Sequence, residues 1–313
     1  MHMIRAIRDE LRKALAIPNI YLIGEDISEY GGAFGATRGL YPSEKIIETP
    51  ISESCLVGMA TGMAIGGMRP ILEIMFMDFL TLGVDQLLNH ALKYQQMYNN
   101  QVTVPLIIRT PYGAPEKCYG ATHSQNLASL FATFPGLTIF VPSDVGDTRE
   151  LFRIALQMQS PVLFMEPKAL YWRDSPDVTK SLGTAAEVRT YGSRLTVVTY
   201  GEYVQMVEDL NKKRFLPIEL INLRILKPID METILASVRR TGKCLVIDGC
   251  TPICSIASDI AARVQQQAWS HLQGPVHILT PVDSVIPVST DLVEQTQITS
   301  HKIYLEIMKM LED

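Results

Sequence analysis

The sequence lacks any apolar run long enough to cross a bilayer. The longest, Cys55 to Met68, is about two-thirds of the ~20 residues that a membrane helix needs, and Arg69, Glu73 and Asp78 follow closely. The first ten residues lack the apolar block of a secretory signal and pattern instead as an amphipathic helix. Cysteine is scarce: five residues, at 55, 118, 244, 250 and 254. An odd, low number in so long a chain excludes a disulfide scaffold and predicts reduced thiols in a cytoplasmic protein. A basic surplus is also missing, the formal net charge being −5. That excludes a nucleic-acid binder relying on bulk positive charge. No membrane and no nucleic-acid partner are therefore expected.

The common catalytic signatures are absent. There is no Gly-x-x-x-x-Gly-Lys-Ser/Thr loop, no Gly-x-Gly-x-x-Gly after a strand, no Gly-x-Ser-x-Gly and no His-Glu-x-x-His. Gly31-Gly32-Ala-Phe-Gly35 is rich in glycine but follows Glu25, Asp26 and Glu29, which would repel a phosphate. It reads as a tight loop. Cys250 and Cys254 have no second pair to complete a metal site, and their spacing reads as two small buried residues on a helix. No metal ligands are assigned in this chain.

What is present is an alternation. Short β-rich runs at 20–23, 71–75, 104–108, 137–141 and 161–165 are separated by helical patterns near 3–16, 53–67, 84–98, 124–133 and 145–158. Such alternation predicts an α/β fold with a mainly parallel sheet and helices on both faces. Residues 167–192 are polar and turn-rich and read as a linker. A second series follows, with strands at 195–200, 217–222, 244–248 and 276–279 and helices at 203–213, 230–240, 253–269 and 299–312. Asp230 is placed to cap one of these helices. The expected division is two α/β domains, 1–185 and 186–313.

Three carboxylates border apolar runs: Glu25 after a strand, Glu53 at a helix start and Glu73 in a strand. Glu53 follows Ser52, a residue type that caps helices, and acids favour the first helical turn. The other reading of Glu53 rests on the Cys-Leu-Val-Gly-Met-Ala that follows, where burial favours a protonated carboxyl near neutral pH. His123 lies in a loop before a helix, at the carboxyl end of a strand, where α/β folds place chemistry. It is either a solvated loop histidine or a catalytic one. His90, His271, His277 and His301 have no partner pattern and read as packing or surface residues.

Ordered blocks along nearly the whole chain resemble a known family. They begin with Gly24-Glu-Asp-Ile-Ser-Glu-Tyr-Gly-Gly-Ala-Phe34, Glu48-Thr-Pro-Ile-Ser-Glu53, Gly67-Met-Arg-Pro-Ile-Leu-Glu73, Asp78-Phe79 and Asp85-Gln86. Arg109-Thr-Pro-Tyr-Gly113, His123-Ser-Gln125 and Glu166-Pro-Lys-Ala-Leu-Tyr171 continue the series. Val198-Thr-Tyr-Gly201, Leu223-Arg224, Pro228-Ile-Asp230 and Ser255-Ile-Ala257 extend it into the second half. The pattern resembles the β-subunits of thiamine diphosphate-dependent 2-oxo acid dehydrogenases of the pyruvate, branched-chain and acetoin types.

The resemblance implies a transketolase-like pyrimidine-binding domain followed by a transketolase C-terminal-like domain. It implies that thiamine diphosphate and its Mg²⁺ are held mainly by an α-subunit through a Gly-Asp-Gly motif, which this chain lacks. An α₂β₂ heterotetramer is therefore implied, acting on a small pyruvate-like 2-oxo acid and passing the acyl unit to the lipoyl group of an acyltransferase. By the same resemblance, Glu53 bonds the aminopyrimidine ring nitrogen and Phe79 packs against that ring. His123 assists acyl transfer, and Glu25 is a nearby acid in proton traffic. Family members also bind K⁺ through a loop reading roughly Arg-Asp-x-Asn-Pro-Val. Here it reads Gln157-Met-Gln-Ser160-Pro-Val, so K⁺ is not expected to have side-chain ligands. That loss, with Asp248-Gly249-Cys250 where the family has an acidic or Glu-His segment, leaves an alternative: a β-like subunit of a biosynthetic assembly delivering a two-carbon or acyl unit to an acyl carrier protein. A non-catalytic scaffold is a third reading, which the joint presence of Glu53, Phe79 and His123 disfavours.

Overall fold

The structure, a computed structural model, describes residues 1–113 and 119–312. Cys118 lies outside the described residues. The chain forms two sheets. Strands β1 (Ile20–Gly24), β2 (Ile46–Glu48), β3 (Arg69–Glu73), β4 (Ile107–Tyr112), β5 (Thr138–Phe140) and β6 (Val162–Pro167) build the first, all parallel. Strands β7 (Glu187–Thr190), β8 (Leu195–Thr199) and β9 (Ile218–Asn222) belong to the second. Next, β10 (Ile225–Lys227) crosses back to close the first sheet antiparallel to β5. Finally β11 (Cys244–Ile247) and β12 (His277–Leu279) complete the second. The sheet orders are β10-β5-β6-β4-β3-β1-β2 and β12-β11-β8-β9-β7.

Every residue of β4, β6, β8, β9 and β11 is buried. Successive side chains point to opposite faces, so a strand buried throughout must be covered on both. Ile23, Leu72, Ile108 and Leu163 face one layer, which includes Leu56, Val57, Ala60 and Ala64 of the helix Glu53–Ile65. Their neighbours Leu22, Ile71, Ile107 and Val162 face the other, covered by the helices Met3–Leu15 and Val145–Ala155. Ile4, Ile7 and Leu11 of the first of these helices are fully buried. Their spacing of three and four gives one apolar stripe, each side chain contributing roughly 1.5–3 kcal/mol. The first layer runs on without a break into Val198, Ile221 and Val246 of the second sheet. The two sheets thus share one core.

Asp230 caps the helix Met231–Thr241 by accepting from the Thr233 amide. The expected helix at 84–98 is instead a π-helical turn, Gln86–Ala91, followed by a single turn, Tyr94–Met97. The Leu92 amide reaches the Leu87 carbonyl at 3.0 Å, and this wider winding puts Leu87 and Ala91 on the buried side. β4 starts at Ile107 rather than 104, because Pro105 has no N–H for a ladder. β2 and β7 are short edge strands without a continuous apolar run, and β7 falls inside the segment read as linker.

Candidate active site

Parallel strands deliver their carboxyl ends to one edge of the sheet, and α/β folds bind ligands there. β1, β3 and β4 end at Gly24, Glu73 and Tyr112. Glu25 therefore stands at that edge, 2% exposed. Its Oε1 accepts from the Ser52 amide at 2.9 Å. Burial, aided by the neighbouring Glu53 carboxylate, pushes the Glu25 carboxyl up from its usual range. Glu53 opens its helix and is 7% exposed. Among the described residues its side chain has no hydrogen-bond or ion-pair partner. Ser52 does not act as the expected cap: its hydroxyl turns back to the Pro50 carbonyl at 2.9 Å, while its amide is held by Glu25. The backbone entering this helix is thus tied to an acid at the sheet edge. Gly32, at φ +81°, lies so close to Glu73 that a Cβ would sit 3.0 Å from its Oε1, so the glycine loop is a tight turn over the acids.

A second cluster lies along the same edge. The His123 ring meets Phe76 and Phe79 edge-on, with centroids 4.7 and 5.0 Å apart. Its Nδ1 is 2.8 Å from the Thr122 hydroxyl. Phe76 also contacts Phe34 and Tyr119. Phe79 and His123, far apart in sequence, are thus in direct contact, and Glu25 and Glu53 form a separate acidic pair on neighbouring elements. The two groups are joined through packing: the turn Thr81–Gly83 after Phe79 presses on the first turn of the Glu53 helix, where a Cβ at Gly83 would lie 2.6 Å from Val57.

Sequence reasoning missed several charged partners. Arg109 is fully buried; its guanidinium pairs with Glu73 and forks onto Glu166 at 2.8 and 2.7 Å, and the Tyr171 hydroxyl donates to Glu166 at 2.6 Å. Two carboxylates hold Arg109 firmly charged despite burial. The available signal was an arginine inside an apolar strand, which demands partners. Asp78 accepts from the Gln125 side chain at 2.7 Å, and Lys168 donates to the His123 carbonyl. Both residues lay inside matched blocks, but nothing local in the sequence linked them to the His123 loop.

Known proteins match this chain along most of its length. Residues 1–173 match the transketolase pyrimidine-binding domain, and residues 183–303 the transketolase C-terminal domain. The acetoin:2,6-dichlorophenolindophenol oxidoreductase subunit beta of Cupriavidus necator is 37% identical over 88% of this chain and 86% of its own. The pyruvate dehydrogenase E1 component subunit beta of Rickettsia bellii is 33% identical over 92% and 91%. The 2-oxoisovalerate dehydrogenase subunit beta of Pseudomonas aeruginosa is 33% identical over 92% and 89%. The chain belongs to the β-subunits of the 2-oxo acid dehydrogenases. A solved split-gene transketolase, an inactive β4 tetramer, shares the fold at a TM-score of 0.77 and 20% identity, over all of this chain and 98% of that one.

In this β-subunit the loop at 157–162 has a cation of its own. The Arg69 guanidinium donates to the Met158 carbonyl at 2.6 Å. Elsewhere, Asp144, Asp147 and Glu187 bring three carboxylate oxygens within 4.8 Å of one another. The ammonium of Lys180 sits among them at 2.8, 2.9 and 2.7 Å. Cys250 and Cys254 are not a helical pair: Cys250 is buried after β11, whereas Cys254 is exposed on a turn at φ +56°. The buried Cys250 accordingly bonds within the protein, to Asn126. No helix among the described residues is long and apolar enough to cross a membrane.

Proposed function

We propose that this β-subunit works with an α-subunit as an α₂β₂ heterotetramer, decarboxylating a small 2-oxo acid and passing the acyl unit to a lipoyl group. The observation that carries the proposal is Glu53. It is 7% exposed, and among the described residues its carboxylate has no partner, which leaves the acid available to a ligand at this edge. The acid lies beside a second acid and near an aromatic wall at the carboxyl edge of a parallel sheet. This set fits a flat heteroaromatic ring with a basic nitrogen. It does not fit a diphosphate, which the acidic pair Glu25 and Glu53 would repel.

Thiamine diphosphate, when bound, supplies an acidic thiazolium carbon and an electron sink for the decarboxylation. In the proposed assignment Glu53 bonds the aminopyrimidine ring nitrogen and controls the proton there. Phe79 presents its ring as a packing surface and excludes water. Glu25 keeps the Glu53 helix in place through the Ser52 amide and shares the local negative charge. His123 stands against Phe79 and offers an imidazole for proton transfer at the acyl-transfer step. Mg²⁺ and the diphosphate fall to the α-subunit.

The test separates the two side chains. Glu53→Gln keeps the shape and removes the exchangeable carboxyl, so hydrogen–deuterium exchange at the thiazolium carbon should slow by ~10²–10⁴-fold in the reconstituted complex. His123→Ala should leave that exchange nearly unchanged and depress reductive acylation of lipoamide. Wild-type exchange in Glu53→Gln would reduce Glu53 to a helix-start acid.

A further inference from the structure

The loop carrying His123 is held at two points by charged side chains from other elements. Lys168, just past β6, is 4% exposed. Its ammonium donates to the His123 carbonyl and lies over the rings of Phe76 and Tyr119, 4.9 and 5.2 Å from their centroids. Phe76 in turn packs on the His123 imidazole. At the loop's other end, Oδ1 of Asp78 accepts from the Gln125 side chain at 2.7 Å and from its amide at 3.4 Å. Asp78 is itself buried, and its Oδ2 has no partner among the described residues.

Burying an ammonium and a carboxylate is costly before their contacts are counted. A methionine and an alanine would pack this space without that cost. What the charges supply is direction: two strong, directional bonds on one short loop, either side of Ser124. The imidazole is bracketed by Phe76 and Phe79 while its own backbone carbonyl is tied down, so neither ring nor main chain is free to swing.

We propose that Lys168 and Asp78 are positioning residues that clamp the 119–125 loop and so fix the His123 imidazole in place. The proposal rests on the role for His123 given above, but its mechanical content is measurable without that role. The first readout is amide hydrogen exchange over 119–127 in the cofactor-free protein, where the His123 amide bonds Gly120 and the Gln125 amide bonds Asp78. Lys168→Met should speed exchange of the loop amides by ~10-fold or more while distant strands keep their protection. Lys168→Arg, which keeps charge and donor, should restore most of it. Asp78→Ala should loosen the loop from its other end, and Asp78→Asn, which keeps the acceptor for Gln125, should not.

The second readout is the reconstituted complex with free lipoamide as acceptor. A displacement of about 1 Å can cost ~10²-fold, so Lys168→Met and Asp78→Ala should both depress reductive acylation by ~10–100-fold. Exchange at the thiazolium carbon should fall far less. Unchanged loop exchange in both Lys168→Met and Asp78→Ala overturns the clamp, whatever the activities. If Lys168→Met fails to fold, Asp78→Ala against Asp78→Asn decides by the same criterion. If the loop loosens but neither these variants nor His123→Ala slows acylation, the clamp stands and the assigned role of His123 falls.

Discussion

Replacing Lys180 by methionine perturbs a buried charge cluster that spans the two sheets. Its ammonium, 10% exposed, bonds Asp144 and Asp147 from the first sheet's side and Glu187 of β7. Lys180→Met keeps the chain length and removes the charge. Arg189 still reaches Asp144 and Glu187 at 2.7 and 3.0 Å, and Arg224 still reaches Asp147 at 2.7 Å. These cations leave the three carboxylates only partly compensated. Breaking a buried ion cluster by removing one partner typically costs about 3–5 kcal/mol, or about 5–8 °C of melting temperature in a chain of this size.

The pH dependence has a definite sign. The Lys180 and Arg224 cations hold the Asp147 carboxyl down at about 2 in spite of burial. A depressed folded-state value stabilises above the unfolded value of 3.8, and that contribution is lost as pH falls toward 2. Without Lys180 the carboxylates take up protons at higher pH, which relieves their repulsion in the folded variant. The deficit of Lys180→Met should therefore be largest at pH 7 and shrink by pH 4. Thermal melts of both proteins at pH 7, 5.5 and 4 read this directly. A loss below about 1 kcal/mol at pH 7, or an equal loss at pH 7 and 4, would refute the account.

Two further outcomes follow from the site. The chain alone should not bind thiamine diphosphate and Mg²⁺ tightly, because it lacks Gly-Asp-Gly and its sheet edge is acidic; micromolar binding by calorimetry without an α-subunit would contradict the division of labour. KCl and NaCl at equal ionic strength should give the same melting temperature, since Met158 and Ser160 stand where side-chain ligands are expected and Arg69 already occupies the Met158 carbonyl; a K⁺-specific rise would show a site rebuilt from carbonyls.

The parallel sheets were legible because strands covered on both faces must be apolar throughout, and helices must show a stripe. Leu195–Thr199 and the helix Met3–Leu15 could hardly be anything else. β2 and β7 were not legible: edge strands of three and four residues satisfy only one neighbour and need no apolar run. β10 was hidden for another reason. Its three residues close the first sheet because Arg224, at φ +58°, turns the chain and anchors itself on Asp147 across the boundary. Such long-range electrostatics leave no local pattern. The same holds at the site. Glu53, Phe79 and His123 were singled out through their blocks, whereas Asp78 and Lys168 acquire meaning only when folding brings them to the His123 loop.

The acidic edge bears on why two chains are needed. A single site that held a diphosphate and also a buried carboxyl beside a second acid would set phosphate against carboxylate at short range. Each unit pair at 4 Å costs about 4 kcal/mol at an effective dielectric of 20. Assigning the phosphates to a partner separates those charges by the length of the cofactor. Glu25 and Glu53 can then sit close together in a buried edge, where burial, and after it the neighbouring Glu53, lifts the Glu25 carboxyl. The same separation leaves the far side of this edge to the clamped His123 loop. In the proposed assignment, proton control and acyl transfer share one sheet edge of this β-subunit, and the charge that would disturb both is left to the other chain.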